Sequence, residues 1–123
     1  MLERIKHNAE LVRKVAGEQL DVEVGYDLAG VKWLDGYTQR QFENDKTENV
    51  DGLVSTLGSY LGECIVQTYG GTWAHSDYGW CVEFSNGNAV FPFAKIEKHL
   101  RNGSDDSVLS LFETIPLVFG MES

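Results

Sequence analysis

Residues 50–69 read VDGLVSTLGSYLGECIVQTY and are followed at once by Gly70-Gly71. The apolar residues of this stretch recur at intervals of three and four, which is the spacing of one continuous stripe on an α-helix. Asn49 suits the N-cap, Asp51 lies in the first turn where the helix dipole favours an anion, and Gly70 suits the position after the last turn. The sequence therefore predicts a central helix, with the sheet that follows covering its apolar stripe. That stripe comprises Val50, Leu53, Val54, Leu57, Leu61, Cys64, Ile65 and Thr68.

Two further helices are predicted before the central one. Residues 2–19 carry an amphipathic pattern, and Asp27 is a suitable N-cap for a second helix that contains the sequence WLDGY from Trp33 to Tyr37. The alternation of apolar residues over 20–26 fits either a brief strand or an extended link. Residues 43–49 are polar, which is typical of a solvated loop.

A β-hairpin is predicted downstream of the central helix. Asn86-Gly87 favours a two-residue type I′ turn, which pairs Glu83 with Val90 and Val82 with Phe91. This register gives the hairpin one apolar face and one mixed face that includes Cys81 and Val90. An earlier strand over residues 72–76 joins through the turn at 77–79, so a meander of about three antiparallel strands is expected. The apolar face comprises Trp80, Val82, Phe84, Ala89, Phe91 and Phe93.

Two helices are predicted after the sheet. Pro92 suits the first turn of a short helix that ends at Asn102, and Ser104 or Asp105 can cap a last helix that Pro116 stops. The element order indicates an α+β fold, in which a small antiparallel sheet packs against a long central helix. The 123 residues form a single domain, 1–123, with an N-terminal helical part over 1–45 and a helix–sheet–helix core over 50–119.

The net charge of −9 is distributed unevenly along the chain. No Lys or Arg lies between Lys46 and Lys95, whereas five acidic residues do. This pattern excludes a nucleic-acid partner, because phosphate binding needs clustered cations, and it favours a basic protein. No apolar run approaches the roughly 20 residues that span a bilayer, and the charged N-terminus resembles no signal peptide, so we expect a cytoplasmic protein. The five acidic residues are Glu48, Asp51, Glu63, Asp77 and Glu83.

Few residues suggest catalysis or metal binding. Cys64 and Cys81 are expected to be free thiols, and no pair of Cys or His residues has the spacing of a zinc site. Cys81 and His75 lie on strands that pair in the predicted meander, so a nucleophile pair is conceivable, but no third group completes it. We therefore expect no cofactor and no metal.

The aromatic residues allow two interpretations. Trp33, Trp73, Trp80, Tyr78 and Phe91 either line a pocket or contact site or form the core. Core packing is the more common role, but Tyr78 stands beside Asp77 in a predicted turn and is the best candidate for contact with a partner. A small cationic ridge, formed by Lys95, Lys98 and Arg101, is typical of a solvated helix face.

Residues 53–112 contain the segments LGSYLGE, GTW, FPFAKI and NGSDDS, and the sequence WLDGY precedes them. In these segments the chain resembles the bacterial family classed as domain of unknown function 3806, whose relatives share a similar WLDGY-like helix. The resemblance implies an α+β fold and no established activity. The matching positions are Leu57, Gly58, Leu61, Gly62, Glu63, Gly71, Trp73, Phe91, Pro92, Lys95, Ile96, Asn102, Gly103, Asp106 and Ser107.

The spacing of some of these residues suggests close packing. Gly58 and Gly62 are four apart on the central helix and form a flat strip that another backbone can approach closely. Glu63 lies on a neighbouring face, where it can pair with Lys95 as a structural ion pair or as part of a ligand site.

Three functional hypotheses remain open. The first is a non-enzymatic acidic protein-binding module, most concretely an immunity-type protein that neutralises a cationic toxin domain, with Glu48, Asp51, Asp77, Tyr78 and Glu83 in the interface. The second is a small enzyme or ligand-binding domain whose cleft lies near Glu63, His75, Cys81 and Lys95. The third is a homodimer formed through a free sheet edge over residues 72–76.

Overall fold

The computed structural model describes residues 2–44 and 50–118, which form five α-helices and one three-stranded antiparallel sheet. This is the small α+β fold that the sequence predicts. None of these helices is both long and apolar enough to cross a membrane. In chain order the elements are α1 (Leu2–Gln19), α2 (Leu28–Glu43), α3 (Val50–Tyr69), β1 (Thr72–Ser76), β2 (Gly79–Glu83), β3 (Ala89–Val90), α4 (Pro92–Asn102), a short 3-10 turn (Gly103–Asp106) and α5 (Val108–Val118).

Helix α3 is the centre of the molecule, and every residue from Leu57 to Ile65 is buried. The predicted stripe is correct over most of this length, but Thr68 is exposed. The sheet packs against α3 as predicted, but it covers less of the stripe than α1 and α4, which pack most extensively against α3. The predicted cap Asn49 lies outside the described residues.

The two N-terminal helices follow the predicted pattern. Helix α1 buries Ile5, Ala9, Val12 and Ala16. Residues 20–26 form an extended link without strand pairing, and the Tyr60 hydroxyl donates a hydrogen bond to the Gly25 carbonyl in that link. Asp27 caps α2 as predicted, since its carboxylate accepts from the Gly30 amide at 2.9 Å.

The sheet has the predicted order but a different second hairpin. Its strands run β1-β2-β3, and β2 pairs with β3 through Val82–Val90 and Glu83–Ala89, one residue away from the predicted register. The loop has three residues rather than two: the Phe84 carbonyl accepts from the Gly87 amide at 3.0 Å, and Gly87 has a φ of 88°. A turn that ends in a left-handed glycine is the usual three-residue hairpin loop. Val90 is consequently buried, and Ala89 is half-buried.

The C-terminal helices differ from prediction in their caps. Helix α4 spans Pro92–Asn102 as expected, but Ser107 rather than Ser104 or Asp105 caps α5, since its hydroxyl accepts from the Ser110 amide at 3.2 Å. Pro116 does not stop α5, which continues to Val118. Proline lacks the N–H that would bond the carbonyl of Phe112 four residues earlier, and the Tyr69 hydroxyl donates to that carbonyl at 2.9 Å instead.

Candidate functional site

An open groove of about 720 Å³ lies between α1, the first half of α3, the β1–β2 turn and the start of α4. We call it the Tyr78 groove, because Tyr78 stands at its hairpin side. One wall is aromatic and consists of Trp80, Phe91 and Phe93. The facing wall carries the amide and hydroxyl side chains of Asn8, Ser55, Thr56 and Ser59, together with Arg4.

The aromatic wall rests on two glycines of α3. A Cβ at Gly62 would lie 2.0 Å from the Trp73 ring, and a Cβ at Gly58 would lie 2.4 Å from the Phe93 ring. The predicted flat strip is therefore correct: it accommodates the two aromatic rings, and a Cβ at Gly58 would also lie 3.0 Å from the backbone Cα of Phe93. The centroid of the Trp73 ring is 5.8 Å from that of Phe93 and 6.5 Å from that of Trp80, so the wall is a packed cluster of rings.

The β1–β2 turn presents a tyrosine to solvent. Tyr78 is 88% exposed, more than any other aromatic side chain among residues 2–44 and 50–118. The turn around it is held by Ser76, whose hydroxyl accepts from the Tyr78 amide at 3.1 Å and donates to the Gly79 carbonyl at 2.9 Å. Gly79 has a φ of 104°, which a residue with a side chain rarely adopts. An ordered turn thus displays a large amphipathic side chain.

The structure brings only part of the predicted interface set to this groove. Asp51 and Asp77 are exposed, and each directly precedes a residue of the groove lining, Gly52 and Tyr78 respectively. Glu83 is exposed at the other end of β2, about 13 Å along the strand from the turn at the usual rise per residue. Glu48 lies outside the described residues.

Glu63 and Lys95 do not form the predicted pair. The Glu63 carboxylate is buried and accepts from the indole Nε1 of Trp73 at 2.9 Å. The Lys95 ammonium lies 3.6 Å from an Asp106 carboxylate oxygen. Neither Trp73 nor Asp106 was predicted as a partner, because the local sequence does not show which helices and strands pack against each other.

The predicted cleft near Glu63, His75, Cys81 and Lys95 is also not assembled. Ala74 pairs with Cys81 and His75 pairs with Trp80, so Cys81 and His75 lie on opposite faces of the sheet. Burial, with a smaller contribution from Glu83, raises the pKa of the Cys81 thiol, which disfavours the nucleophilic thiolate. Burial likewise raises the pKa of Cys64 to about 12. Across residues 2–44 and 50–118, no three His, Cys, Asp or Glu side chains are grouped so that they could hold a metal ion.

A polar network that the sequence did not reveal joins α2, α4 and α5. An Asp35 carboxylate oxygen accepts from the Ser107 hydroxyl at 2.5 Å and from the Leu109 amide at 3.1 Å. His99 is fully buried, with its Nε2 2.9 Å from the Gln39 amide oxygen and its Nδ1 accepting from the Val108 amide at 3.3 Å. We call this set, which also includes Lys95, Asn102 and Asp106, the C-terminal network.

The C-terminal network contains Ser, His and Asp but is not arranged as a catalytic triad. In a triad the histidine lies between the other two and accepts the serine proton, whereas Ser107 here donates directly to Asp35. Burial lowers the pKa of His99, against an opposing effect of Asp35, so the imidazole is neutral near pH 7. The network therefore fixes helix ends and helix crossings.

Two spacings in the sequence could have pointed to this network. Asp35 and Gln39 are four residues apart on α2, and Lys95 and His99 are four apart on α4, so each pair shares a helix face. The sequence does not show that these faces of α2 and α4 pack against each other. The cationic ridge is also partly neutralised, because Arg101 pairs with Glu97 at 3.0 Å and Lys95 with Asp106.

No family model, curated protein or solved structure matches this chain. The resemblance to the domain of unknown function 3806 family therefore stays a prediction. The residues that carry the resemblance have structural roles in this molecule: Gly58 and Gly62 accommodate rings, Lys95 and Asp106 pair, and Ser107 caps α5.

Proposed function

We propose that this protein is a non-enzymatic acidic protein-binding module whose contact surface is the Tyr78 groove and its rim. The observation that carries the proposal is Tyr78, which is 88% exposed on an ordered turn at the edge of an open groove with an aromatic wall. Tyrosine exposes a large apolar area and a hydroxyl at a low cost in conformational entropy, which is why it is frequent in protein interfaces.

The expected partner is basic. The chain carries a net charge of −9, and the stretch that contributes α3 and the sheet has no Lys or Arg. Asp51 and Asp77 are exposed and each adjoins in sequence a residue of the groove lining, so a cationic loop that places its apolar residues against Trp80 and Phe91 would bring its charges near carboxylates. Among the described residues that line the groove, Arg4 is the single charged one. It favours a partner that also offers an acceptor.

The most concrete form of this proposal is an immunity-type protein that acts in the cytoplasm on a cationic toxin domain. Its support is the acidity and the small size of the chain. Electrostatic steering by the acidic surface would accelerate association with such a toxin.

The test is affinity capture of the tagged protein from its native lysate, at low and moderate salt, with three matched variants. Tyr78→Ala removes the exposed ring, Asp77→Lys reverses a charge at the groove rim, and Glu83→Lys makes the same reversal at the far end of β2. We expect a stoichiometric basic protein that is lost with Tyr78→Ala and Asp77→Lys, retained with Glu83→Lys, and weakened by salt.

Two outcomes would overturn the proposal. Equal weakening by Asp77→Lys and Glu83→Lys, with no effect of Tyr78→Ala, would mean that acidity alone attracts the partner and that the groove is not the site. Recovery of the tagged protein alone at both salt concentrations would contradict the proposal for the proteins that the lysate contains.

A further inference from the structure

Within the described part of the chain, the outer edge of β1 has backbone groups without a partner. Among residues 2–44 and 50–118, β1 pairs with β2 alone and forms one edge of the sheet. The direction of its free groups follows from the second hairpin, where the Phe84 amide donates to the Asn88 carbonyl at 2.8 Å. Successive residues of a strand direct their N–H and C=O groups to opposite sides. The backbone N–H and C=O groups of Phe84, Val82 and Trp80 therefore point towards β3.

The backbone N–H and C=O groups of the alternate residues of β2 consequently point towards β1. These residues are Glu83, Cys81 and Gly79. Their partners in the register are Thr72, Ala74 and Ser76. The remaining residues of β1, Trp73 and His75, direct their N–H and C=O groups away from the sheet. A two-residue turn at Asp77 and Tyr78 leads to the same assignment, because the pair that closes such a turn is hydrogen-bonded.

From this geometry we propose that a second copy of the chain pairs antiparallel with the β1 edge, about a two-fold axis at Ala74. In this register Trp73 of each copy lies opposite His75 of the other, and all the outward N–H and C=O groups of both residues are used. If the register is shifted by two residues, only one of Trp73 and His75 lies opposite an outward-facing residue of β1 in the other copy. The product is a continuous sheet of three strands from each copy.

The side chains of β1 permit this pairing. The strand TWAHS has no Lys, Asp, Glu or Pro, the residues that commonly protect an edge from pairing. Ala74, which would face itself across the axis, is small, and Trp73 and His75 form an aromatic cross-strand pair on the other face. The opposite edge is different: β3 has two residues, and Pro92 follows closely. The sheet thus has one blunted edge and one open edge.

A second copy fits better than a basic partner at this edge because the strand itself is uncharged and its pattern is symmetric about Ala74. Two chains of net charge −9 repel each other, so the dimer is expected to strengthen as salt screens that repulsion. Binding of a basic partner at the Tyr78 groove changes with salt in the opposite direction. The dimer and the proposed function can therefore fail separately.

Amide hydrogen exchange at low and high protein concentration tests the pairing residue by residue. Thr72, Ala74 and Ser76 face β2 and are expected to be protected at both concentrations. The amides of Trp73 and His75 are expected to exchange quickly in the dilute protein and to gain protection as its concentration rises. Unchanged exchange at both residues across the range would overturn the proposal.

Sedimentation velocity with two matched substitutions gives an independent test. Ala74→Lys places two like charges opposite each other at the axis, whereas Ala89→Lys makes the same change on the same face of the sheet at the other edge. We expect Ala74→Lys to sediment as a monomer at concentrations where the unaltered chain and Ala89→Lys dimerise. A dimer that survives Ala74→Lys, or is lost equally in both variants, would contradict the β1 pairing.

A crosslink keeps the proposal testable if Ala74→Lys fails to fold. Ala74→Cys is made in a Cys81→Ala background, because Cys81 lies opposite residue 74 within the chain. Oxidation is expected to give a covalent dimer, whereas Ser85→Cys, in an exposed loop of the same background, should not. Equal crosslinking of the two variants would indicate random collision and overturn the proposed axis.

Discussion

The C-terminal network and the tip of the β1–β2 hairpin use polar side chains in opposite ways. In the network, Asp35 accepts from Ser107 and from the Leu109 amide at the start of α5, and the fully buried His99 bonds Gln39 and the Val108 amide. At the tip, Asp77 and Tyr78 are exposed, and the hydrogen bonds of the turn come from Ser76. Residue types associated with catalysis hold the fold together at one end, and residues without any catalytic pattern are left accessible at the other. Residue identity alone is therefore a poor guide to the site.

The largest difference between the two regions should appear on removing a carboxylate from each. Asp35→Ala leaves the Ser107 hydroxyl and the Leu109 amide without their acceptor, and we expect it to lower the free energy of unfolding by about 2 kcal/mol. Asp77→Ala should change it by less than about 0.5 kcal/mol, because the side chain is exposed. Urea denaturation of both variants measures the contrast. Equal losses of stability in the two variants would contradict the proposed difference between the two regions.

A substitution beneath Trp73, at the base of the hairpin, should lower stability as much as one in the C-terminal network. Gly62→Ala introduces a Cβ only 2.0 Å from the Trp73 ring, which is held by its hydrogen bond to Glu63, and we expect a loss of about 2 kcal/mol. Gly36→Ala is the matched control. It lies in α2 with its nearest neighbour at 3.5 Å and should be neutral or stabilising by up to about 1 kcal/mol. A neutral Gly62→Ala in thermal or urea unfolding would show that Trp73 can move away.

Acidification should weaken the network before it affects the tip. The pKa of His99 is below the ordinary value of 6.5 in the folded protein, so between the two values the unfolded chain binds more protons. Stability is then full above about pH 6.5 and declines as the pH falls towards the folded pKa. Asp35 on α2 and Asp106 in the 3-10 turn oppose this effect, whereas Lys95 on α4 adds to it. The sign is therefore a loss of stability with falling pH.

Urea denaturation at several pH values between about 5 and 8 measures this dependence. His99→Gln removes the titrating group while leaving polar atoms near Gln39 and Val108, and it should flatten the curve over that range. An undiminished slope in His99→Gln would assign the dependence to other groups. This pH range lies above the pH at which Asp106 becomes protonated, because the pKa of Asp106 is lowered chiefly by its hydrogen bond from Asn102.

The smallest effect on stability is expected at Tyr78. Tyr78→Ala removes a side chain that is 88% exposed, so the midpoint of unfolding should stay within error of the unaltered protein. Capture of a basic partner should nevertheless be lost. A variant that is both unstable and inactive would instead mean that Tyr78 supports the turn.

Much of the fold was predictable because it depends on short-range patterns. The spacing of apolar residues and the caps correctly located α1, α2 and α4, and Asp27 and Pro92 act as expected at the starts of α2 and α4. The predicted register of the second hairpin was wrong by one residue, because Asn86-Gly87 fits both a two-residue and a three-residue loop. The structure uses Gly87 as the left-handed end of a three-residue loop, which buries Val90.

Local sequence patterns are sufficient to predict the helices and strands, their order and the acidic charge of the chain. They do not show that Glu63 bonds Trp73, that Lys95 pairs with Asp106 or that Asp35 on α2 accepts from the Leu109 amide at the start of α5. The same holds for the Tyr78 groove, which four separate elements enclose. A helix or turn is specified by neighbours within a few residues, whereas the partner of a side chain depends on how whole elements cross. Local patterns carry the first kind of information, and only packing supplies the second.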